Sequence, residues 1–266
     1  MRVLLSVICF FASATTAAFS SVSSLETAES KYQQQVQRQN VYFMTLDTMF
    51  PDKRVRELAE SAARGNITHV NRLLAEGVDI NYRGTSDATV LFWAMKDKNS
   101  FEHLLSKGAD PNVAFKSGGS VIHKAAENKD TWYLDVLLQH GAEPNLVSLA
   151  NGNTPIFGAI GLDNDELIEL LVANKADINF INTTGPKAFK GLTPLFSAYF
   201  IGNYKAMYKL LIMNADYTVK IEGMNETLYE LLIDDANRLI TPSDWLNKSI
   251  KWIENDMKKK YKAGTQ

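Results

Sequence analysis

Residues 154–179 read TPIFGAIGLDNDELIELLVANKADIN, and their pattern indicates the element from which the fold is built. Pro155 suits the first position of a helix, where its missing N–H has no intrahelical partner, and Thr154 before it is a residue type that caps helices. Apolar residues then recur at helical spacing, and after an acidic break they recur again around the pair Leu170-Leu171. The stretch therefore predicts two short antiparallel helices and a return loop that closes with ADIN at 176–179.

The same unit recurs along the chain, so the repeat is the primary observation. A small residue in the first helix, a leucine pair in the second helix and a closing polar residue keep step with one another. The small residues follow each other at spacings of 33, 31, 34 and 39. These landmarks are Ser61, Ala94, Ala125, Ala159 and Ala198; Leu73-Leu74, Leu104-Leu105, Leu137-Leu138, Leu170-Leu171 and Leu210-Leu211; and Asn81, Asn112, Asn145, Asn179 and Thr218.

These landmarks resemble those of the ankyrin-repeat family. The family's Thr-Pro-Leu-His entry survives as TPIF at 154–157 and TPLF at 193–196, whereas TVLF at 89–92 and SVIH at 120–123 depart from it. The second repeat also lacks two residues between its helices, around 98–101. The resemblance implies an all-α ankyrin-repeat solenoid of five recognisable repeats, with helical caps at its N- and C-terminal ends.

The start of the chain predicts export. Arg2 precedes an apolar run of roughly ten residues, well short of the about 20 that span a bilayer, and small residues at 16–20 offer a cleavage site. A buried helix or an uncleaved anchor are the alternatives. We predict a periplasmic protein with no integral membrane segment in the mature chain. The predicted organisation is a signal peptide at 1–20, a lead-in and cap at 21–53, ankyrin repeats at 54–224 and a helical cap at 225–266.

Two segments outside the repeats are predicted to cover their ends, because a terminal repeat otherwise exposes the face that a neighbour would bury. VYFMTLDTMF at 41–50 is predicted to lie across the open end of the first repeat, with an exposed docking strand as the alternative. Helix signals at 226–238 and 241–244 predict the C-terminal cap. Lysines in the last turns complement the helix dipole, so we expect a solvated helix end there, with a membrane- or acid-binding tail as the alternative.

The sequence contains no motif that assembles catalytic chemistry. The only cysteine is Cys9, inside the predicted signal peptide, so no disulfide, metal-thiolate site or thiol nucleophile is expected in the mature chain. The four histidines occupy repeat positions, with His123 at the family's entry position, where hydrogen bonding between turns is its usual role. A net charge of −2 offers no general attraction to nucleic acid. We predict a non-enzymatic protein without a metal or cofactor.

A stacked repeat array presents turn tips and first helices to a protein partner. The candidate contact residues are Tyr82, Arg83, Ser86 and Lys96 in the second repeat, Phe115, Lys116 and Glu127 in the third repeat, Asn151 and Asn153 in the fourth repeat, and Lys187, Phe189, Lys190 and Phe200 in the fifth repeat. The loop that leads into the fifth repeat, at 180–190, is the longest of its kind, which predicts a protruding turn with aromatic and basic residues at its tip. An insertion without a role is the alternative, since added loop residues cost little.

A further resemblance concerns the partner. Three segments are similar to exported bacterial ankyrin proteins that serve as immunity proteins. They are FPD at 50–52, WAMKDKNSFEHLLSKGADPN in the second repeat and GGSVIHKAAE in the third repeat. That group is encoded beside phospholipase effectors of type VI secretion systems, so the resemblance implies a lipase-type effector as the partner. A general periplasmic adaptor or stress-protection scaffold, and an enzyme built across separate repeats, are the alternatives.

Overall fold

The computed structural model describes residues 40–162, 164–186, 190–221 and 223–264. Its α-helices are α1 (Leu46–Met49), α2 (Lys53–Ala63), α3 (Ile67–Ala75), α4 (Val90–Trp93), α5 (Lys98–Ser106), α6 (Val121–Ala126), α7 (Trp132–Gln139), α8 (Pro155–Gly161), α9 (Asp165–Ala173), α10 (Pro194–Phe200), α11 (Tyr204–Ile212), α12 (Leu228–Arg238) and α13 (Asp244–Gly264). Over the described ranges, extended pairing is limited to one isolated bridge between Ala114 and Ser120. The predicted all-α ankyrin fold is confirmed.

The chain divides between Val121 and Ile122 into two compact units. The first contains the first two helix pairs and the turn of the third repeat. The second contains the remaining helix pairs. The predicted signal peptide and the lead-in before Asn40 lie outside the described residues, as do Asp163, Lys187 and Phe189.

Short polar side chains start most of the repeat helices. Asp52 accepts hydrogen bonds from the N–H groups of Arg54 and Val55, and Thr193 accepts one from Phe196. Such caps satisfy donors that have no partner inside the helix. The predicted cap at Thr154 is wrong: α8 does begin at Pro155, but the Thr154 hydroxyl caps no N–H group and, among the described residues, has no hydrogen-bond partner.

The second repeat accommodates its missing residues by changing helix type. After α4 the chain tightens into a 3₁₀ turn at Ala94–Lys96. Asp97 then ends that turn and caps α5 at once, accepting a hydrogen bond from the Ser100 N–H at 2.8 Å. A 3₁₀ turn advances farther per residue than an α-helix, so the shorter segment still connects the two helices.

The closing Asp-x-Asn segments form both local and inter-repeat hydrogen bonds. In the first unit the Asn81 side chain donates to the Gly108 carbonyl at 3.0 Å and accepts from the Asp110 N–H at 2.8 Å. In the second unit Asn145 makes the equivalent pair of bonds with Lys175 and Asp177. Each asparagine therefore fixes the position of the following repeat's closing turn.

The lead-in occupies more of the first unit than predicted. Residues 41–50 contact α2, as expected of an end cover, but they also lie against the turns of the second and third repeats. The Thr85 hydroxyl donates to the Thr48 carbonyl at 2.7 Å, and the Val41 N–H donates to Ser117 Oγ at 3.3 Å. Met49 and Phe50 are fully buried, and a Cβ at Gly84 would clash with the Met49 carbonyl. We call residues 41–50 the strap.

The C-terminal helices pack on the fifth repeat, as predicted for a cap. Thr227 and Glu230 form a capping box that starts α12. Tyr217 donates a hydrogen bond to Asp256 of α13 at 2.9 Å, and its ring meets Trp252 edge to face. Aromatic residues with a satisfied hydroxyl thus form much of this interface.

None of the helices within the described ranges is both long and apolar enough to cross a bilayer.

We expect replacement of Phe50 by alanine to lower the free energy of unfolding by about 3–5 kcal/mol, because it leaves a cavity under the strap. Phe43→Ala is the matched control, since Phe43 lies seven residues earlier in the same strap and is 73% exposed. It should change stability by no more than about 0.5 kcal/mol. Urea unfolding followed by circular dichroism measures both, and equal losses would show that the strap is not packed as described.

Candidate protein-binding surface

The candidate contact residues fall into four groups by exposure. Arg83, Lys96, Lys116, Glu127 and Lys190 are exposed; Tyr82, Ser86, Asn151, Asn153 and Phe200 are partly buried; Phe115 is fully buried; and Lys187 and Phe189 lie outside the described residues. The placement of Phe115 at an exposed tip is therefore wrong. Its ring lies 6.4 Å from that of Tyr42 in the strap and 5.3 Å from that of Phe92, centroid to centroid.

In the first unit, the turn tips of the second and third repeats lie side by side. The Lys116 N–H donates to the Ser86 carbonyl at 3.0 Å, and the Lys116 ammonium lies 3.5 Å from the Asp87 carboxylate. Thr85, Ser86, Lys116 and Ser117 line a depression of about 280 Å³ between the tips. The structure thus brings together two of the candidate contact residues, Ser86 and Lys116.

The second tip has a strained backbone. Ser86 and Asp87 both adopt left-handed conformations, with φ of 58° and 59°. The third tip obtains such angles from Gly118 and Gly119, which carry no Cβ penalty. Strain at non-glycine residues persists only where surrounding contacts impose it, and here the strap and Lys116 supply those contacts.

In the 3₁₀ turn that follows α4, Lys96 packs on an aromatic ring. Its ammonium lies 3.2 Å from the centroid of the Trp93 ring, within the range of a cation–π contact. Partial burial there lowers the pKa of Lys96 from its ordinary value. The side chain is exposed but held in place.

In the second unit, the long approach to the fifth repeat is joined to the fourth turn through Asn182. Its fully buried side chain donates to the Asn151 carbonyl and to Asn153 Oδ1, both at 2.7 Å, and accepts from the Gly185 N–H at 2.9 Å. Asn151 and Asn153 are therefore framework residues of this tip as well as candidate contacts. The motif that could have revealed Asn182 is Asn-x-x-Gly, which is typical of side-chain-closed turns.

His123 also has a framework role. Its Nε2 hydrogen bonds to the Asn153 carbonyl at 3.1 Å, joining the third repeat's first helix to the fourth turn. Burial lowers the pKa of His123, and the hydrogen bond partly opposes that shift. The predicted hydrogen-bonding role of the entry histidine is confirmed.

Apolar side chains stay exposed at the tips of the second unit. Leu149, in the fourth turn, is 66% exposed, and Ile181, beside Asn182, is 46% exposed. Neither was among the candidate contact residues. Phe200, by contrast, packs its ring against Phe196 and Tyr199.

The described residues contain no cluster of three or more histidine, cysteine, aspartate or glutamate side chains that could hold a metal ion. At the junction of the fifth repeat with α12, burial raises the pKa of both Tyr199 and Tyr204, and it raises that of Tyr199 more strongly. Burial and the hydrogen bond to Asp235 raise the pKa of Tyr204 to about 12. The hydrogen bond from Tyr204 to Asp235 joins α11 to α12.

We expect Asn182→Ala to lower the free energy of unfolding of the second unit by about 2–4 kcal/mol, since three side-chain hydrogen bonds are lost. Thr183→Ala, at the exposed neighbouring position, should stay within about 0.5 kcal/mol of the wild type. Hydrogen exchange of the amides at 148–153 locates the effect. Unchanged protection in the Asn182 variant would contradict the role of this side chain.

We expect Ser86→Gly to be more stable than Ser86→Ala by about 1 kcal/mol, because only the alanine keeps a Cβ at positive φ. Both variants remove the hydroxyl, so their difference isolates the backbone. Thermal unfolding of the two variants measures it. An alanine variant as stable as the glycine variant would show that the tip is unstrained.

The chain was compared with known proteins. A family model described as ankyrin repeats in three copies matches residues 58–148 and 122–221. Protein PhlB of Serratia liquefaciens is 33% identical over 130 residues, which are 48% of this chain and 57% of that protein. The ankyrin repeat protein FPV031 of fowlpox virus is 30% identical over 194 residues, covering 68% and 55% of the two chains.

A third relative is an enzyme by name. The phosphocholine transferase AnkX of Legionella pneumophila is 28% identical over 128 residues, but these make up only 13% of that protein. The chain spans little more than half the length of PhlB and of FPV031. The ankyrin matches extend over more than half of this chain and coincide with its helix pairs. The chain therefore belongs to the ankyrin-repeat family, whose repeats form protein-binding modules.

Proposed function

We propose that this protein is a periplasmic immunity protein that binds a phospholipase effector of a type VI secretion system and inhibits it. The observation that carries the protein-binding part is the rigidity of the turn tips. Hydrogen bonds of Asn182 in one unit, and of Thr85 and Lys116 in the other, hold the tips in place while neighbouring side chains remain exposed. A preformed surface binds a partner with little ordering cost.

The narrower parts of the proposal have other support. The export-type N-terminus favours the periplasm, and the similarity of 50–52 and of the second and third repeats to immunity proteins favours a phospholipase partner. A protein that covers the mouth of an active site, or holds a lid closed, inhibits without chemistry of its own. No catalytic role is needed for this function.

The test is a pull-down with the purified protein from periplasm and culture supernatant of its own source. We expect a phospholipase among the bound proteins, and we expect its activity to fall to a small residual level at one molar equivalent of this protein. Recovery of an unrelated partner, with no effect on phospholipase activity, would refute the immunity function and favour a general periplasmic adaptor. Hydrolase assays on the protein alone test the enzyme alternative.

We expect the triple variant Lys187→Ala, Phe189→Ala, Lys190→Ala to bind the phospholipase at least about tenfold more weakly, because aromatic and basic tip residues are typical interface anchors. The matched control is Met257→Ala, Lys258→Ala, Lys259→Ala on the exposed face of α13, which also removes two lysines and one apolar side chain. Inhibition titrations measure both. Equal affinities for the wild type and the tip variant would contradict contact through this turn.

A further inference from the structure

We infer that the depression between the second and third turn tips receives an acidic side chain of the partner protein. This inference rests on the proposed protein-binding function, and it names the chemistry that one part of the surface recognises. Thr85, Ser86, Lys116 and Ser117 line the depression. The Thr85 hydroxyl already donates to the Thr48 carbonyl, whereas Ser117 Oγ accepts from the Val41 N–H and can still donate its own proton beside the Lys116 ammonium group. Hydroxyl and ammonium donors are suited to a carboxylate.

The charge that lines the depression favours an anion. Lys116 carries a positive charge in the lining and is 73% exposed at its side chain. The opposing charge nearby is Asp87, whose carboxylate lies 3.5 Å from the Lys116 ammonium. A contact of that length to an exposed lysine contributes little, so a partner carboxylate can replace it at low cost.

The walls of the depression are fixed before a partner arrives. The Ser86 carbonyl accepts a hydrogen bond from the Lys116 N–H, which sets the distance between the two tips. The strap holds both walls, through Thr48 at Thr85 and through Val41 at Ser117. Between these contacts, Ser86 and Asp87 keep a left-handed backbone. A site that keeps strained residues in place is preorganised for what it binds.

An apolar side chain lies close along the chain. Phe43 follows Val41 by two residues in the strap and is 73% exposed, while its neighbour Tyr42 packs on Phe92. The surface therefore suits a protein segment that carries an acidic side chain next to an apolar one. The strap contributes to the binding surface as well as covering the repeat end.

The experiment uses two capped peptides, Ac-Gly-Glu-Phe-Glu-Gly-NH₂ and its glutamine counterpart Ac-Gly-Gln-Phe-Gln-Gly-NH₂. Each is titrated into isotope-labelled protein, produced from the full-length coding sequence, at low salt. We expect the acidic peptide to shift the amide signals of residues 85–87 and 115–118, and to bind at least threefold more tightly than the glutamine peptide. Equal binding of the two peptides, or shifts confined to other parts of the chain, would overturn the inference.

Two variants of opposite sign sharpen the test. Lys116→Glu should weaken binding of the acidic peptide at least fivefold, whereas Asp87→Asn should tighten it about twofold by removing the competing carboxylate. Lys107→Glu makes the same charge change at an exposed position just after α5 and should alter affinity by less than twofold. A loss in Lys107→Glu as large as that in Lys116→Glu would show non-specific attraction and overturn the inference.

The result is separable from the proposed immunity function. If the acidic peptide binds at the tips and no phospholipase is inhibited, the depression stands and the proposed partner is wrong. If a phospholipase is inhibited and the acidic peptide does not bind to the wild type, the assignment of the depression is wrong and the immunity function stands.

Discussion

Hydrogen bonds from the closing asparagines set the geometry on which each unit depends. A single helix pair cannot bury its apolar face alone, so it must hold a neighbour at a fixed position. Asn81 does this by bonding both to the Gly108 carbonyl and to the Asp110 N–H, and Asn145, two repeats further on, makes the equivalent pair of bonds. Each bond contributes only about 0.5–1.5 kcal/mol, but together they fix where the next turn begins.

The turn tips are held by the fixed distance between neighbouring repeats and by further contacts at the tips themselves. In the first unit the strap binds two tips at once, and the Tyr42 ring packs on both Phe92 and Phe115. In the second unit the buried Asn182 amide joins the turn before the fifth repeat to the fourth turn by hydrogen bonds. Gly152 and Gly185 lie so close together there that neither has room for a Cβ. The two units thus reach rigid tips by different means, one by hydrophobic packing of a leading segment and one by a polar network.

Local patterns predicted the helices well because caps, apolar spacing and proline position act over a few residues. The start of α8 at Pro155 and the capped start of α10 after Thr193 are of this kind. Thr154 shows the limit of such reasoning. It precedes a proline and an aliphatic-Phe pair as Thr193 does, yet no helix N–H group donates to its hydroxyl. Whether a side chain caps depends on the packing around it, which the local sequence does not contain.

The repeat, its five occurrences and the all-α family fold can be read from the amino-acid sequence, since they follow from periodic short-range signals. Which tip residues lie at the surface and which belong to the framework depends on contacts between distant parts of the chain. Phe115 is buried because a strap more than 60 residues earlier in the chain covers it, and Asn182 matters because the fourth turn lies within reach of its amide. Burial and hydrogen bonding depend on neighbours that are distant in the chain, and no local spacing specifies them.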